Sequence, residues 1–249
     1  MSEINVSEHA GVRYLHFSSD WIQGAMRIAR PYALELDYTR EMMLPLLLRS
    51  ADWPRRILLV GLGAGSLTKF LWRYRPQAKL TVVEIDSRVE AMARQFFKLP
   101  DDPARICMHF ADGADFMIHT KQRFDLILID GFDADARAGR LDTLPFYLDC
   151  RTRLRDEGLL CVNLLSRRKD FGKSIARLEQ AFDGHTLAFP SCASGNAIAL
   201  ATVGNSTVLS MGDLQQAAAV LKQDSGLDLR ASLARLAESK RLSGDRLDF

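Results

Sequence analysis

The sequence predicts an α/β fold: a seven-stranded, mostly parallel sheet with an antiparallel last strand, preceded by a small N-terminal β unit. Three observations carry this. The apolar run 56 to 60 ends in the glycine turn Gly61-Leu-Gly-Ala-Gly65 and is followed by helical spacing over 66 to 74, which is a strand, tight turn and helix in register. From there apolar runs near 79 to 84, 105 to 110, 124 to 130 and 158 to 164 alternate with helical segments, the pattern of a parallel sheet covered on both faces. The last two strand candidates, 185 to 189 and 197 to 203, are joined only by the turn-rich Ser191-Cys-Ala-Ser-Gly-Asn196. That connection is too short for a crossover, so the pair is antiparallel.

The remaining elements follow in order. Val12-Arg-Tyr-Leu-His-Phe17 and Ala25-Met-Arg-Ile-Ala29, separated by the turn-forming Ser18-Ser-Asp20, read as a small antiparallel β unit. Residues 38 to 49 carry helical spacing with Met42, Met43, Leu46 and Leu47 on one side, a face that suits a dimer contact. Asp52-Trp-Pro54 stops this helix just before the first sheet strand. Residues 209 to 222 and 227 to 240 read as two amphipathic helices. The chain thus divides into an N-terminal β unit with a linking helix (1–50), a Rossmann-like nucleoside-binding catalytic domain (51–205) and a C-terminal helical appendage (206–249).

Composition bounds the function. A chain of 249 residues with 47% hydrophobic residues holds one large α/β domain and modest appendages, not two full domains. The 33 basic and 31 acidic residues leave a formal charge of +2, without the field that nucleic-acid binders use to gather phosphates. The basic clusters Arg151-Thr-Arg-Leu-Arg155 and Arg167-Arg-Lys169 read as solvated faces. The N-terminus lacks a basic and apolar leader pattern, and no run approaches the roughly 18 apolar residues of a membrane span. Cys107, Cys150, Cys161 and Cys192 lack C-x-x-C pairing and read as reduced thiols, and the five histidines are too scattered to be metal ligands. The expectation is a cytoplasmic protein acting on small molecules, with no metal, nucleic-acid or membrane partner.

Chemistry is expected beyond the carboxyl ends of the strands, where ligands bind in open parallel sheets. Gly61, Gly63 and Gly65 let the backbone approach a ligand closely, and Glu84, ending the second strand, is suited to accept hydrogen bonds from both hydroxyls of a ribose. The motif is G-x-G-x-G, with Ser66 where the dinucleotide motif has its third glycine, and no P-loop Lys-Ser/Thr follows. An S-adenosyl ligand fits better than NAD or ATP. Asp112-Gly113 supplies either an acceptor for an adenine amino group or a helix cap. Asp130 stands at the mouth of a central strand and Asp133 follows three residues on, together offering two acceptors for a cationic amine. An alkylamine with a pKa of about 10.4 is a free nucleophile in only about one molecule in 2,500 at neutral pH, so a carboxylate that binds and then deprotonates it is useful. Phe146-Tyr147 either floors the acceptor site or packs in the core.

Seven strands with an antiparallel last member is the arrangement of class I S-adenosylmethionine-dependent enzymes. Within it, Gly61-Leu-Gly-Ala-Gly65, Val83-Glu-Ile-Asp86, Ala111-Asp-Gly113, Phe124-Asp-Leu-Ile-Leu-Ile-Asp130, Phe146-Tyr147 and Leu154-Arg-Asp-Glu-Gly158 resemble the spermidine synthase (polyamine aminopropyltransferase) family, over residues 20 to about 203. The resemblance implies that Glu84 and Gln23 hold the ribose, Asp112 the adenine, and Asp130 serves as the base. It further implies decarboxylated S-adenosylmethionine as donor, an amine such as putrescine as acceptor, release of methylthioadenosine, and a homodimer.

Three departures mark a short, divergent member. Ala64 stands where the family carries an aspartate that recognises the donor's amine, so the preference for the decarboxylated donor over S-adenosylmethionine itself loses its main cause. Asp37-Tyr-Thr-Arg-Glu-Met-Met43 replaces a longer segment carrying a tyrosine and a histidine or acidic cluster, and Asp133 is followed by Ala134 in place of proline. Methyl transfer from S-adenosylmethionine to a small molecule, and a non-catalytic nucleoside-binding homologue, are the alternatives to aminopropyl transfer.

Overall fold

Strand β4 (Arg56–Val60), ahead of the glycine turn, lies inside a seven-stranded sheet with β5 (Lys79–Glu84), β6 (Ile106–Phe110), β7 (Phe124–Ile129), β8 (Leu154–Leu165), β9 (Thr186–Ala188) and β10 (Asn196–Thr202). The spatial order is β6-β5-β4-β7-β8-β10-β9. Pairings among β4 to β8 are parallel, whereas β10 runs antiparallel to both β8 and β9. The computed structural model describes residues 3–17, 22–132, 137–192, 194–204, 208–238, 242–243 and 246–248.

Alternation along the strands divides the core. Ile57 and Leu59 of β4, with Leu126 and Leu128 of β7, face one apolar layer, and Leu58, Val60, Ile127 and Ile129 face the other. The first layer is covered by α2 (Ser66–Tyr74), α3 (Ser87–Phe97), α7 (Met211–Ser225) and α8 (Arg230–Glu238). The second is covered by α4 (Gly113–His119), α5 (Leu144–Arg153) and α6 (Phe171–Ala181). Leu214, Ala218, Leu221, Leu233 and Leu236 bury into the same layer as the sheet, so the C-terminal helices complete the central core.

The strand order reverses between β4 and β7. The chain leaves β4 for β5 and β6 on one side, then returns through β7 to β8 on the other. The crevice opened there is where ligands bind in such sheets.

Several expectations are corrected. The N-terminal unit has three strands, β1 (Ile4–His9), β2 (Val12–Phe17) and β3 (Ile22–Arg27), since a two-residue Ala10-Gly11 turn with both φ positive pairs β1 onto β2. The helix expected over 38 to 49 is broken into α1 (Asp37–Glu41) and a 3-10 turn (Leu44–Leu47). Pro45 has no N–H for a helical bond to Glu41 and disfavours helical backbone at Leu44. Met42 and Met43 are fully buried in the core, so they offer no face to a second subunit. The last parallel strand begins at Leu154, earlier than expected. A small sheet of β11 (Val208–Ser210), β13 (Arg246–Asp248) and β12 (Leu242–Ser243) accompanies the two expected tail helices. No described helix is long and apolar enough to cross a membrane.

Candidate functional site

A cleft of about 1280 Å³ runs along the carboxyl ends of β4, β5, β7 and β8, and is walled by β3 and the start of α1. Gln23, Gly61, Gly63, Glu84, Asp112, Gly113 and Asp130, expected from the sequence to serve one site, all line it. Gly65 lies beside it as the left-handed residue that caps α2 at its N-terminus.

The glycine turn is packed from both sides. A β-carbon on Gly61 would fall 2.2 Å from the Asp130 carbonyl oxygen, so only glycine lets the turn pass the end of β7, and its φ is +95°. On the other side Gly24 of β3 rests on Ala64, and Ser66 Oγ donates to the Ala25 carbonyl at 3.2 Å. This clamp brings Gln23 to the cleft wall.

Glu84 links turn and cleft. Its Oε2 accepts from the Leu62 N–H at 2.9 Å and its Oε1 from the Asp86 N–H at 3.1 Å, which fixes the turn while the carboxylate remains in the cleft lining. Burial raises its pKa above the ordinary carboxylate value, and the backbone hydrogen bonds oppose that rise. The cap reading of Asp112 holds, and the residue also lines the cleft. It caps α4, accepting from Ala114 and Asp115 N–H at 2.8 and 3.1 Å, and it lines the cleft with Arg140 at 3.2 Å.

At the other end Asp130 is half-buried in the cleft wall. Asn163 Nδ2 donates to Asp130 Oδ1 at 2.8 Å, and the Tyr38 hydroxyl donates to the same carboxylate. Burial raises the Asp130 pKa, opposed by these two donors, and burial together with Asp130 holds the Tyr38 phenol well above its usual value. Glu84 is held by backbone N–H groups, and the remaining carboxylates along the cleft have arginine partners: Glu35 with Arg27, Asp37 with Arg40, Asp86 with Arg88 and Asp112 with Arg140. Among the described residues no cation pairs with Asp130. A cationic amine therefore finds there a carboxylate whose charge is not already neutralised.

Tyr147 does not reach the cleft. It is wholly buried, and its hydroxyl donates to Asp142 Oδ1 at 2.8 Å, while Ser174 and Arg177 bind Asp142 Oδ2 at 2.7 and 2.9 Å. Its place is to anchor the 3-10 turn Gly139–Asp142, whose Leu141 closes over Gly113 and Gly131. Asp133 and Ala134 lie outside the described residues, as does Trp21. Tyr38, Asn163 and Asn196 are cleft residues that the sequence reading missed. Tyr38 stands in the short segment thought to lack the family's tyrosine. Asn163 carried a signal, being the one polar residue in the apolar run 159 to 165.

The model of the spermine/spermidine synthase domain matches residues 36–181. The polyamine aminopropyltransferase of Neisseria meningitidis serogroup A is 34% identical over 97% of this chain and 92% of the relative. That of Chromobacterium violaceum is 33% identical over 99% and 94%. The fold is similar to that of a probable spermidine synthase from Corynebacterium glutamicum, with a TM-score of 0.72 at 20% identity over 91% of this chain and 92% of that one.

Proposed function

Because the chain belongs to the spermine/spermidine synthase family, we propose that it is a transferase moving an aminopropyl group from decarboxylated S-adenosylmethionine to an amine such as putrescine, with Asp130 as the base. The observation that carries this is the half-buried Asp130 carboxylate, held by Asn163 and Tyr38 and free of any described cation, in one cleft with the glycine turn and Glu84.

The glycine turn, Gln23, Glu84 and Asp112 bind the nucleoside: Glu84 and Gln23 accept or donate to the ribose, and Asp112 accepts from the adenine amino group. Asp130 binds the acceptor as an ammonium and takes its proton. The freed nitrogen lone pair then forms a bond to the aminopropyl carbon attached to sulfur. The carbon–sulfur bond breaks, its electron pair stays on sulfur, and neutral methylthioadenosine leaves. Both reactants are held in one crevice, so positioning supplies much of the acceleration. A homodimer is part of the proposal, with the N-terminal sheet as the contact left once Met42 and Met43 are in the core; sedimentation of the purified protein checks it.

The test is to incubate the protein with decarboxylated S-adenosylmethionine and a series of diamines and to identify products by mass spectrometry. Methylthioadenosine together with a mono-aminopropylated diamine is expected. The second reading, methyl transfer, is favoured by Ala64; S-adenosylhomocysteine and a methylated acceptor formed from S-adenosylmethionine, without aminopropyl transfer, would establish it instead.

A further inference from the structure

The antiparallel strand β10 does something that no parallel strand of the sheet can do: it brings its first residue, not its last, to the edge where ligands bind. That residue is Asn196, opposite Leu165 of β8. Asn163 lies opposite Ile198, two residues along, so the two asparagines are diagonal neighbours on one face of the sheet. Asn196 Nδ2 donates to Asn163 Oδ1 at 2.9 Å, and Ser194 Oγ donates to Asn196 Oδ1 at 2.7 Å. With Asn163 Nδ2 on Asp130 Oδ1, every donor in the chain points toward the carboxylate.

We propose that Ser194 and Asn196 are positioning residues that lock the Asn163 amide with its donor face on Asp130, and so set the pH at which that carboxylate ionises; the proposal rests on Asp130 being the base of the proposed transfer. An isolated asparagine amide has two orientations of similar shape and opposite polarity. Inverted, Asn163 would set an oxygen against the carboxylate and an amino group against the amino group of Asn196. The acceptor-only Asp130 carboxylate sets the direction, and Asn196 on Asn163 Oδ1 and the Ser194 hydroxyl on Asn196 Oδ1 hold both amides in that sense. Asn163 and Asn196 are both buried, so a lost hydrogen-bond partner is costly.

The groups facing Asp130 give the relay its leverage. Tyr38 approaches from α1 and Cys161 from β8, and burial raises the pKa of both well above their ordinary values, so both are neutral. Among the described residues no charged side chain contributes to its ionisation, which leaves burial against two hydrogen bonds.

The experiment follows the Asp130 side-chain carboxyl by 13C NMR through a pH titration, with the resonance assigned by its loss in Asp130→Asn. Wild type is compared with Asn196→Ala and Ser194→Ala, neither of which introduces charge. Asn196→Ala is expected to raise the Asp130 pKa by about one unit, the scale of one hydrogen bond to a charged group. Ser194→Ala should move it in the same direction by less. The acid limb of kcat should shift upward by the same amounts. An Asp130 titration unchanged from wild type in folded Asn196→Ala overturns the proposal. If that variant does not fold, Ser194→Ala decides: an upward shift supports the relay and no shift overturns it. A wild type that transfers no aminopropyl group would sink the proposed function, whereas the carboxyl titration still judges the relay.

Discussion

Gly24 and Ala64 touch so closely that a β-carbon built on Gly24 would lie 2.5 Å from the Ala64 β-carbon and 2.9 Å from its backbone nitrogen. The N-terminal sheet is thereby seated on the glycine turn, and Ala64 is buried between them. Gly24→Ala must push β3 off the turn, because backbone atoms cannot yield as a flexible side chain would. Expected is a loss of about 1–3 kcal/mol in urea unfolding together with weaker nucleoside binding by calorimetry. Unchanged affinity in a destabilised variant would separate β3 from the nucleoside site.

Glu84→Gln replaces one acceptor oxygen with an amino group that faces a backbone N–H, either of Leu62 or of Asp86. Nucleoside affinity should fall by about tenfold or more, since a buried donor is left unsatisfied. Wild-type affinity should itself weaken as pH falls, because the Glu84 pKa is raised by burial and its protonated form offers fewer acceptors. An affinity flat across the acidic range would show that Glu84 is not the titrating ligand.

Asp130→Asn should lower kcat by about a hundredfold or more while leaving nucleoside affinity near wild type, which is the split expected for a base that does not hold the donor. Tyr38→Phe removes one of the two donors to the Asp130 carboxylate. The ionised base then forms at higher pH, so the acid limb of kcat should move upward. A pH profile identical to wild type would show that Tyr38 does not act through Asp130.

Arg235 of α8 pairs with the buried Glu41 of α1, and Ser232 donates to the same Glu41 oxygen at 3.1 Å. This ties the C-terminal helices to the helix that carries Tyr38. Arg235→Ala leaves a buried carboxylate without its cation and should cost about 3 kcal/mol in urea unfolding. Glu41→Gln in the same background should recover part of that loss, since the uncompensated charge is then gone.

Lys69 is buried, donates to the Phe97 carbonyl at 2.6 Å, and has its pKa lowered by desolvation to about 7. An unfolded lysine titrates near pH 10.4. Between those values the unfolded chain binds a proton that the folded one does not, so stability rises with pH in that window and the advantage is lost as pH falls toward 7. Lys69→Met should remove a slope approaching about 1.4 kcal/mol per pH unit, read from unfolding at pH 7.5 and 9. Equal slopes in wild type and variant would place the proton elsewhere.

The sheet was legible because its signals are local. β4, β5 and α2 follow from apolar runs, glycines and helical spacing within a few residues of one another, and Glu84 and Asp130 are recognisable as the polar residues that end such runs. The single helix expected over 38 to 49 failed because apolar spacing is the same for a buried helix and for a buried irregular segment; Pro45 was the local fact that outweighed it. The strand β1 was missed because its side chains are mostly exposed, leaving little apolar alternation to read.

By itself, the sequence determined the α/β class, the glycine turn and which carboxylates stand at strand ends, since each depends on contacts between near neighbours in the chain. Only the tertiary structure decided what those carboxylates meet. Asp130 is joined by Tyr38, 92 positions before it, and by Asn163, 33 positions after it, the latter held by Asn196 of an antiparallel strand. Tyr147, similar in sequence appeal, went to Asp142 and the core. Burial and hydrogen-bond partnership are set by which strands lie side by side, and strand order is a property of the whole sheet that no local pattern encodes.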